Sequence, residues 1–187
     1  MYYLNLNILY IYGGEKMALN KKLEKKFNEQ INREFHSALL YLSMAAYLEK
    51  EGLKGFANRM YVQYQEELSH AQKFYRYVNE KGGVVVLEQI GAVKTKWENV
   101  TEVFKEALVH EEFITNSINE IADLAMKEKD HASLNLLQWF ISEQVEEEAS
   151  VGEILAQLKL LNGDGGGMFL LDKDLSSIVF VDKTLTT

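Results

Sequence analysis

The sequence predicts an all-α protein in which four long helices form a bundle, a long connection joins the second helix to the third, and a short fifth helix follows. The 187 residues include no proline, and the 12 glycines fall mostly in a few clusters, so long stretches carry no helix breaker. Apolar residues recur every three or four positions within those stretches. With 47% hydrophobic residues, the chain can form one substantial core, and a single domain is expected.

The first two helices are expected to form a hairpin. From Lys21 to about Lys50 the apolar residues follow the spacing of one helix face, at Leu23, Phe27, Ile31, Phe35, Ala38, Leu42, Ala45 and Leu48. The short segment 51–55 contains two glycines, and a second periodic run follows from about Phe56 to Lys81. Because the link is short, the second helix should return antiparallel to the first.

A second hairpin is expected after a long crossover. Residues 84–100 lack helical periodicity, and at roughly 3.3 Å per extended residue they can travel the length of a helix that rises about 1.5 Å per residue. The third helix is predicted from about Thr101 to Glu128 and the fourth from about His131 to Leu161. The glycine-rich segment 162–167 should be a flexible linker, and Phe169 to Phe180 is predicted to form the short fifth helix.

The composition restricts the possible ligands and partners. The chain has no cysteine, which excludes disulfides and thiolate sites for zinc or iron–sulfur clusters, so a bound metal would need carboxylate and imidazole ligands. The net charge of −8 argues against a nucleic-acid partner and is compatible with attraction of cations.

The first sixteen residues differ in character from the rest. They are apolar and aromatic, but they lack a basic start and a cleavage site, and they are too short and too polar to span a bilayer. We expect a cytoplasmic protein with no membrane contact. Residues 1–16 are predicted to be a disordered extension or an upstream start, and residues 17–187 the folded domain.

One spacing in the second helix is typical of metal binding. Glu67 and His70 are three positions apart, so both side chains lie on one helix face and can reach a common ion. An isolated pair of this kind is more often a solvated charge beside a histidine at the edge of the core. The other helices must therefore decide between the two interpretations.

Each of the other three long helices contributes an acidic residue in a comparable place. Glu34 and Glu111 lie among apolar residues, where unpaired charges are costly, and Gln144 and Glu147 repeat the offset of three. A solvated acidic face would look similar on the fourth helix. The separation of Glu34 from Glu67 equals that of Glu111 from Gln144, 33 positions, which suggests two similar hairpins facing each other.

The combined pattern is that of a four-helix di-iron carboxylate protein. Such proteins use one glutamate from each of two helices and a Glu-x-x-His pair from each of the other two. Here Gln144 and Glu147 replace the second pair, which leaves one imidazole. The two metal sites are therefore expected to differ.

Four segments resemble helices of the bacterial non-haem ferritins. They are NEQINREFHSALLYLSMAAYL, YQEELSHAQKFYRYV, LQWFISEQVEEEASVGEIL and FLLDKDLSSI, and the resemblance covers roughly Ala18 to Phe180. It implies a ferritin-like di-iron domain over residues 17–187, assembled as a homo-oligomer of 24 subunits. It also implies iron storage with ferroxidase activity, in which O₂ or H₂O₂ oxidises Fe²⁺ to Fe³⁺.

The resemblance also implies a set of site residues. One iron would be bound by Glu34, Glu67 and His70. Glu67 would bridge to a second iron bound also by Glu111 and Glu147, with Gln144 nearby. A third, transit-like site would use Glu66, Glu143, Glu146 and Glu147. Tyr41, seven residues after Glu34, matches a tyrosine that supplies an electron in the family, although a core aromatic would fit its position equally well.

Alternatives remain open at this point. Haem is not expected, because bacterioferritins bind it through a methionine where this chain has Leu68. His36, His110 and His131 have no partner at ligand spacing. A ferritin-like di-iron peroxidase could use the same ligands without storing iron, and a purely structural bundle could pair its buried acids with Lys and Arg.

Overall fold

The computed structural model of the chain describes residues 19–185, so the predicted extension 1–16 lies outside the described residues. Within them the protein has five α-helices and a 3₁₀ turn, without β-strands: α1 Lys21–Lys50, α2 Lys54–Glu80, α3 Val100–Lys127, α4 His131–Leu161, α5 Gly165–Leu175 and the turn Lys183–Leu185. The all-α prediction is confirmed. No helix in this part of the chain has the length and apolar character needed to cross a bilayer.

The bundle interior consists of two apolar clusters separated by polar residues. In the Phe74 cluster, the rings of Phe74 and Phe140 stack with centroids 3.8 Å apart. In the Phe56 cluster, near the other end, Phe56 meets Phe104 edge to face. Between them lies the polar layer, a set of buried polar residues from all four long helices: Gln30, Glu34, Gln63, Glu67, His70, Glu111, Gln144 and Glu147. Apolar packing at both ends therefore fixes the helices that carry the polar layer.

The predicted crossover between α2 and α3 is present, and it runs along α1. Asn28 accepts a hydrogen bond from the Val86 amide at 2.7 Å and donates one to the Val84 carbonyl at 2.9 Å. Near the other end of α1, the buried ring of Trp97 packs on Tyr47 with centroids 5.3 Å apart. Side chains of α1 thus satisfy backbone groups of a segment that has no regular structure of its own.

The fifth helix starts earlier than predicted. The expectation of a flexible linker is wrong for Gly165–Gly167, because the Asp164 side chain accepts hydrogen bonds from the Gly166 and Gly167 amides and caps a helix there. This helix, α5, ends at Leu175 rather than Phe180. Glycine has a low helix propensity, but a cap and tertiary contacts can override it.

The fifth helix is fixed to the start of α2. No side chain next to Lys54 caps that helix, and instead Asp172 of α5 accepts hydrogen bonds from the Gly55 amide at 2.8 Å and the Phe56 amide at 3.0 Å. A carboxylate at a helix N-terminus satisfies free N–H groups and interacts favourably with the helix dipole. The position of α5 is therefore set by a specific contact as well as by apolar packing.

Candidate metal centre

Four buried carboxylates, one from each long helix, meet in the polar layer. Glu34 of α1, Glu67 of α2, Glu111 of α3 and Glu147 of α4 are each at most 4% exposed. His70 and Gln144 are buried beside them. The helix-face spacing that suggested these residues does bring all six into the interior.

Glu34, Glu67 and His70 form the first cluster. Each offers a ligand atom, and these atoms lie within 4.8 Å of one another. His70 Nδ1 lies 3.7 Å from Glu67 Oε2. Glu34 Oε2 is buried and has no hydrogen-bond partner, which is rare for a buried oxygen in a folded protein. A cation bound by these three side chains would satisfy that oxygen.

Glu111 has neutral hydrogen-bond partners. The Tyr41 hydroxyl donates a hydrogen bond to it, and Gln144 Nε2 donates another to Glu111 Oε2 at 3.1 Å. The half-buried His110 ring meets the Tyr41 ring edge to face, with centroids 5.9 Å apart. Tyr41 therefore touches a candidate ligand directly.

Gln63 joins Glu67 to the fourth carboxylate. Its Nε2 donates to Glu67 Oε1 at 3.1 Å and to Glu147 Oε2 at 2.7 Å, so one amide holds both acids. Gln63 Oε1 is itself buried without a hydrogen-bond partner. The polar layer thus contains two oxygens without a hydrogen-bond partner, one on Glu34 and one on Gln63.

The residues suggested for a third site lie at the edge of this layer and have cationic partners. Arg59 is 3.3 Å from Glu66 and 3.7 Å from Glu147. Lys183 is 2.8 Å from both Glu143 and Glu146. His70, Glu143 and Glu147 also form a group whose ligand atoms lie within 4.8 Å of one another.

The central carboxylates differ from these peripheral ones. Within residues 19–185, no Lys or Arg forms an ion pair with Glu34, Glu67 or Glu111. Burying several unpaired carboxylates together is costly, so a structural bundle would be expected to pair or replace them. The central arrangement therefore argues for a bound cation, whereas a structural bundle alone would explain the paired acids at the edge.

Burial shifts the ionisation of the acids in the polar layer. It raises the pKa of Glu34 to about 8, and the charge of Glu67 adds to the shift. Burial likewise raises the pKa of Glu147 to about 8, with a further contribution from the charge of Glu111. The pKa of Glu67 is also well above its ordinary range, because of burial and the charges of Glu111 and Glu147. Metal binding at these acids should therefore release protons.

These shifts predict that the metal-free protein loses stability as the pH rises. In the unfolded chain the carboxyls ionise near 4.5, whereas Glu34 and Glu147 stay protonated in the folded chain up to about 8. Between these values the folded state binds more protons, so the free energy of unfolding falls with increasing pH. Thermal unfolding of metal-free protein from about pH 5 to pH 8 measures this slope. A double variant, Glu34→Gln with Glu147→Gln, should flatten the slope, and an equal slope in both proteins would contradict the prediction.

Sequence reasoning missed several residues that contact the candidate ligands. Gln30 Nε2 donates to Glu34 Oε1 at 2.8 Å, as Gln63 does to Glu67, and each glutamine precedes its glutamate by four residues. That repeated offset was a usable signal. Arg59 gave no such signal, because its contact with Glu147 crosses from α2 to α4.

The chain is similar to known proteins over most of its length. Residues 24–161 match the ferritin-like domain family. The chain is 39% identical over 160 residues to a probable bacterial non-heme ferritin-like protein of Haemophilus influenzae, covering 86% of this chain and 97% of that one. It is 37% identical over 162 residues to the bacterial non-heme ferritin of Staphylococcus saprophyticus, covering 87% and 97%.

Solved structures give the same result. The open pore ferritin of the hyperthermophilic archaeon Archaeoglobus fulgidus is 44% identical with a TM-score of 0.86, covering 87% of this chain and 100% of that one. A humanized archaeal ferritin is also 44% identical, with a TM-score of 0.87 and coverage of 88% and 99%. The predicted resemblance to bacterial non-haem ferritins is confirmed, and the chain belongs to the ferritin family.

Proposed function

We propose that the chain is an iron-storage subunit with ferroxidase activity. It binds Fe²⁺ in the polar layer, oxidises it with O₂ or H₂O₂, and passes Fe³⁺ to a mineral. The observation that carries this proposal is the set of buried carboxylates, Glu34, Glu67 and Glu111, that lie beside His70 without an ion pair to Lys or Arg within the described residues. Membership of the ferritin family and relatives named bacterial non-heme ferritin support it.

Glu67 is the proposed bridging ligand between two irons. Its carboxylate lies in the cluster with Glu34 and His70 on one side, and Gln63 connects it to Glu147 on the other. The first iron would take Glu34, Glu67 and His70. The second would take Glu67, Glu111 and Glu147, with Gln144 close to Glu111. Because the second set lacks an imidazole, the two irons should differ in affinity.

The carboxylates favour the oxidised metal. Hard oxygen ligands suit iron in both oxidation states, and their negative charge offsets the charge that increases as Fe²⁺ becomes Fe³⁺. Two neighbouring Fe²⁺ ions can together supply the two electrons that reduce one O₂, with two protons, to H₂O₂. Carboxyl protons displaced on binding are a local source for that reaction. Mostly monodentate ligands should then let Fe³⁺ leave.

Tyr41 is proposed as an auxiliary electron donor. Its hydroxyl donates a hydrogen bond to Glu111, and burial together with the charge of Glu111 raises the pKa of Tyr41 well above its ordinary range. The phenol therefore stays protonated at neutral pH. Loss of an electron would be accompanied by proton transfer toward Glu111.

We further propose a homo-oligomer of 24 subunits in the cytoplasm, with residues 17–187 as the ferritin-like domain and residues 1–16 as an extension. Relatives named ferritin support the assembly proposal. Mineral storage requires an enclosed space, which one bundle does not provide. The size of the assembly can be measured by sedimentation or electron microscopy.

Anaerobic Fe²⁺ calorimetry followed by iron loading tests the proposed function. We expect two unequal high-affinity sites per subunit, rapid oxidation when O₂ or H₂O₂ is added, and electron-dense cores after many equivalents of iron. A protein that oxidises iron without forming cores would instead fit a ferritin-like peroxidase. Absence of high-affinity sites would refute both and leave a structural bundle.

A further inference from the structure

The C-terminal segment that follows α5 returns along α2 and is held there by side chains. Asn58 donates a hydrogen bond to the Ile178 carbonyl at 2.9 Å. Further along, Lys73 donates to the Thr184 carbonyl at 3.2 Å and Arg76 to the Thr184 hydroxyl at 3.3 Å. Thr184 is buried, although it lies close to the end of the described chain. The segment therefore has a defined path, and that path leads to the acidic edge of the polar layer.

This path places Lys183 between two glutamates of α4. Its ammonium is 2.8 Å from Glu143 Oε1 and 2.8 Å from Glu146 Oε2, so one cation bridges both carboxylates. Lys183 also lines a cleft of roughly 270 Å³ with Glu66, Glu146 and Glu147. The ammonium therefore occupies a position where a metal bound by these acids would have to lie.

Glu143 connects this cleft to the interior. Its side chain is only 7% exposed, and it belongs to the group with His70 and Glu147 whose ligand atoms lie within 4.8 Å of one another. One carboxylate is thus shared between a possible metal position and Lys183. Although burial opposes it, hydrogen bonding to Glu143 and Glu146 raises the pKa of Lys183, so the side chain remains charged near neutral pH.

We propose that Lys183 is a tethered cation that occupies the Glu143–Glu146 site and must leave before a metal ion can bind there. The inference rests on the proposed function, because it concerns the third site of the same centre. A tethered group competes at a high effective concentration, so it lowers metal affinity at this site without touching the two central positions. The third site should consequently fill only after the central pair.

The expected change in metal affinity at the third site follows from the solvent exposure of the ion-paired side chains. The side chains of Lys183 and Glu146 are 43% and 67% exposed, and solvated ion pairs are weak. Removal of the ammonium should therefore tighten third-site binding by about threefold to tenfold. The central sites should keep their affinities, because Lys183 forms its ion pairs with Glu143 and Glu146, which are not ligands of the two proposed central irons.

Zn²⁺ calorimetry on the assembled protein tests this inference without depending on iron oxidation. We compare the wild type with Lys183→Gln, with Lys183→Arg, which keeps the cation, and with Lys173→Gln, which removes an exposed lysine of α5. Only Lys183→Gln should show a tighter third site. An unchanged third site in Lys183→Gln, or equal tightening in Lys183→Arg, would overturn the inference. Loss of the two central sites from the wild type would instead refute the proposed function.

Discussion

Replacing Glu67 with alanine is expected to reduce the rate of rapid Fe²⁺ oxidation by about 100-fold or more. Residues that merely support a metal ligand cost about 10-fold to 100-fold when they are lost, and Glu67 is proposed to bind both irons directly. The substitution also removes one of the two carboxylates that accept a hydrogen bond from Gln63. The fold should persist, because Glu67 has no ion pair with Lys or Arg in the described residues and its removal lessens repulsion with Glu111 and Glu147.

Stopped-flow absorbance of the Fe³⁺ product measures this change. The matched control is Glu112→Ala, which removes an exposed carboxylate next to Glu111 on α3. The control should oxidise iron at the wild-type rate, and circular dichroism should show the same helix content in all three proteins. A wild-type fast phase in Glu67→Ala would refute the bridging assignment.

Gly55→Ala is expected to detach α5 from the bundle. A Cβ built at Gly55 would lie 1.5 Å from the Asp172 carbonyl oxygen and 2.5 Å from its carbonyl carbon, so backbone atoms would have to move. Moving Asp172 also removes the cap of α2, which is worth about 0.5–2 kcal/mol. With overpacking adding about 1–3 kcal/mol, the variant should lose roughly 1.5–5 kcal/mol of stability or expose α5.

Thermal unfolding and limited proteolysis after α4 test this prediction. Gly152→Ala is the matched control, because it lies within α4 and its built Cβ meets no atom within 4 Å. There alanine should stabilise the helix by about 1 kcal/mol. We therefore expect Gly55→Ala to lower the free energy of unfolding and Gly152→Ala to raise it. Equal unfolding temperatures and equal proteolysis would show that α5 is not fixed through this contact.

The helices of the bundle were largely predictable because their patterns are local. The apolar spacing after Lys21 and before Leu161 gave bounds that agree with α1 and α4. The start of α5 was not predictable from glycine content, because Asp164 overrides the weak propensity of the residues that follow it. Likewise, the cap of α2 comes from Asp172, more than 100 positions away, and no local pattern indicates it.

The same difference between local patterns and long-range contacts applies to the candidate site. Glu67 and His70 could be paired from their offset within one helix, and the structure places them close together. Whether an acid is neutralised depends instead on contacts between helices. Arg59 reaches Glu147 across the bundle, and Lys183 reaches Glu143 from the far end of the chain. Periodicity carries no information about such pairs.

The layered interior has a consequence for tolerance to substitution. The Phe74 and Phe56 clusters provide most of the apolar burial, while the unpaired acids between them oppose folding. The candidate metal ligands and the residues that stabilise the fold thus lie at different levels along the bundle axis. Substitutions in either cluster can change thermal stability while the polar layer stays intact. Replacing the acids of the polar layer with apolar residues should give a more stable subunit without the proposed activity.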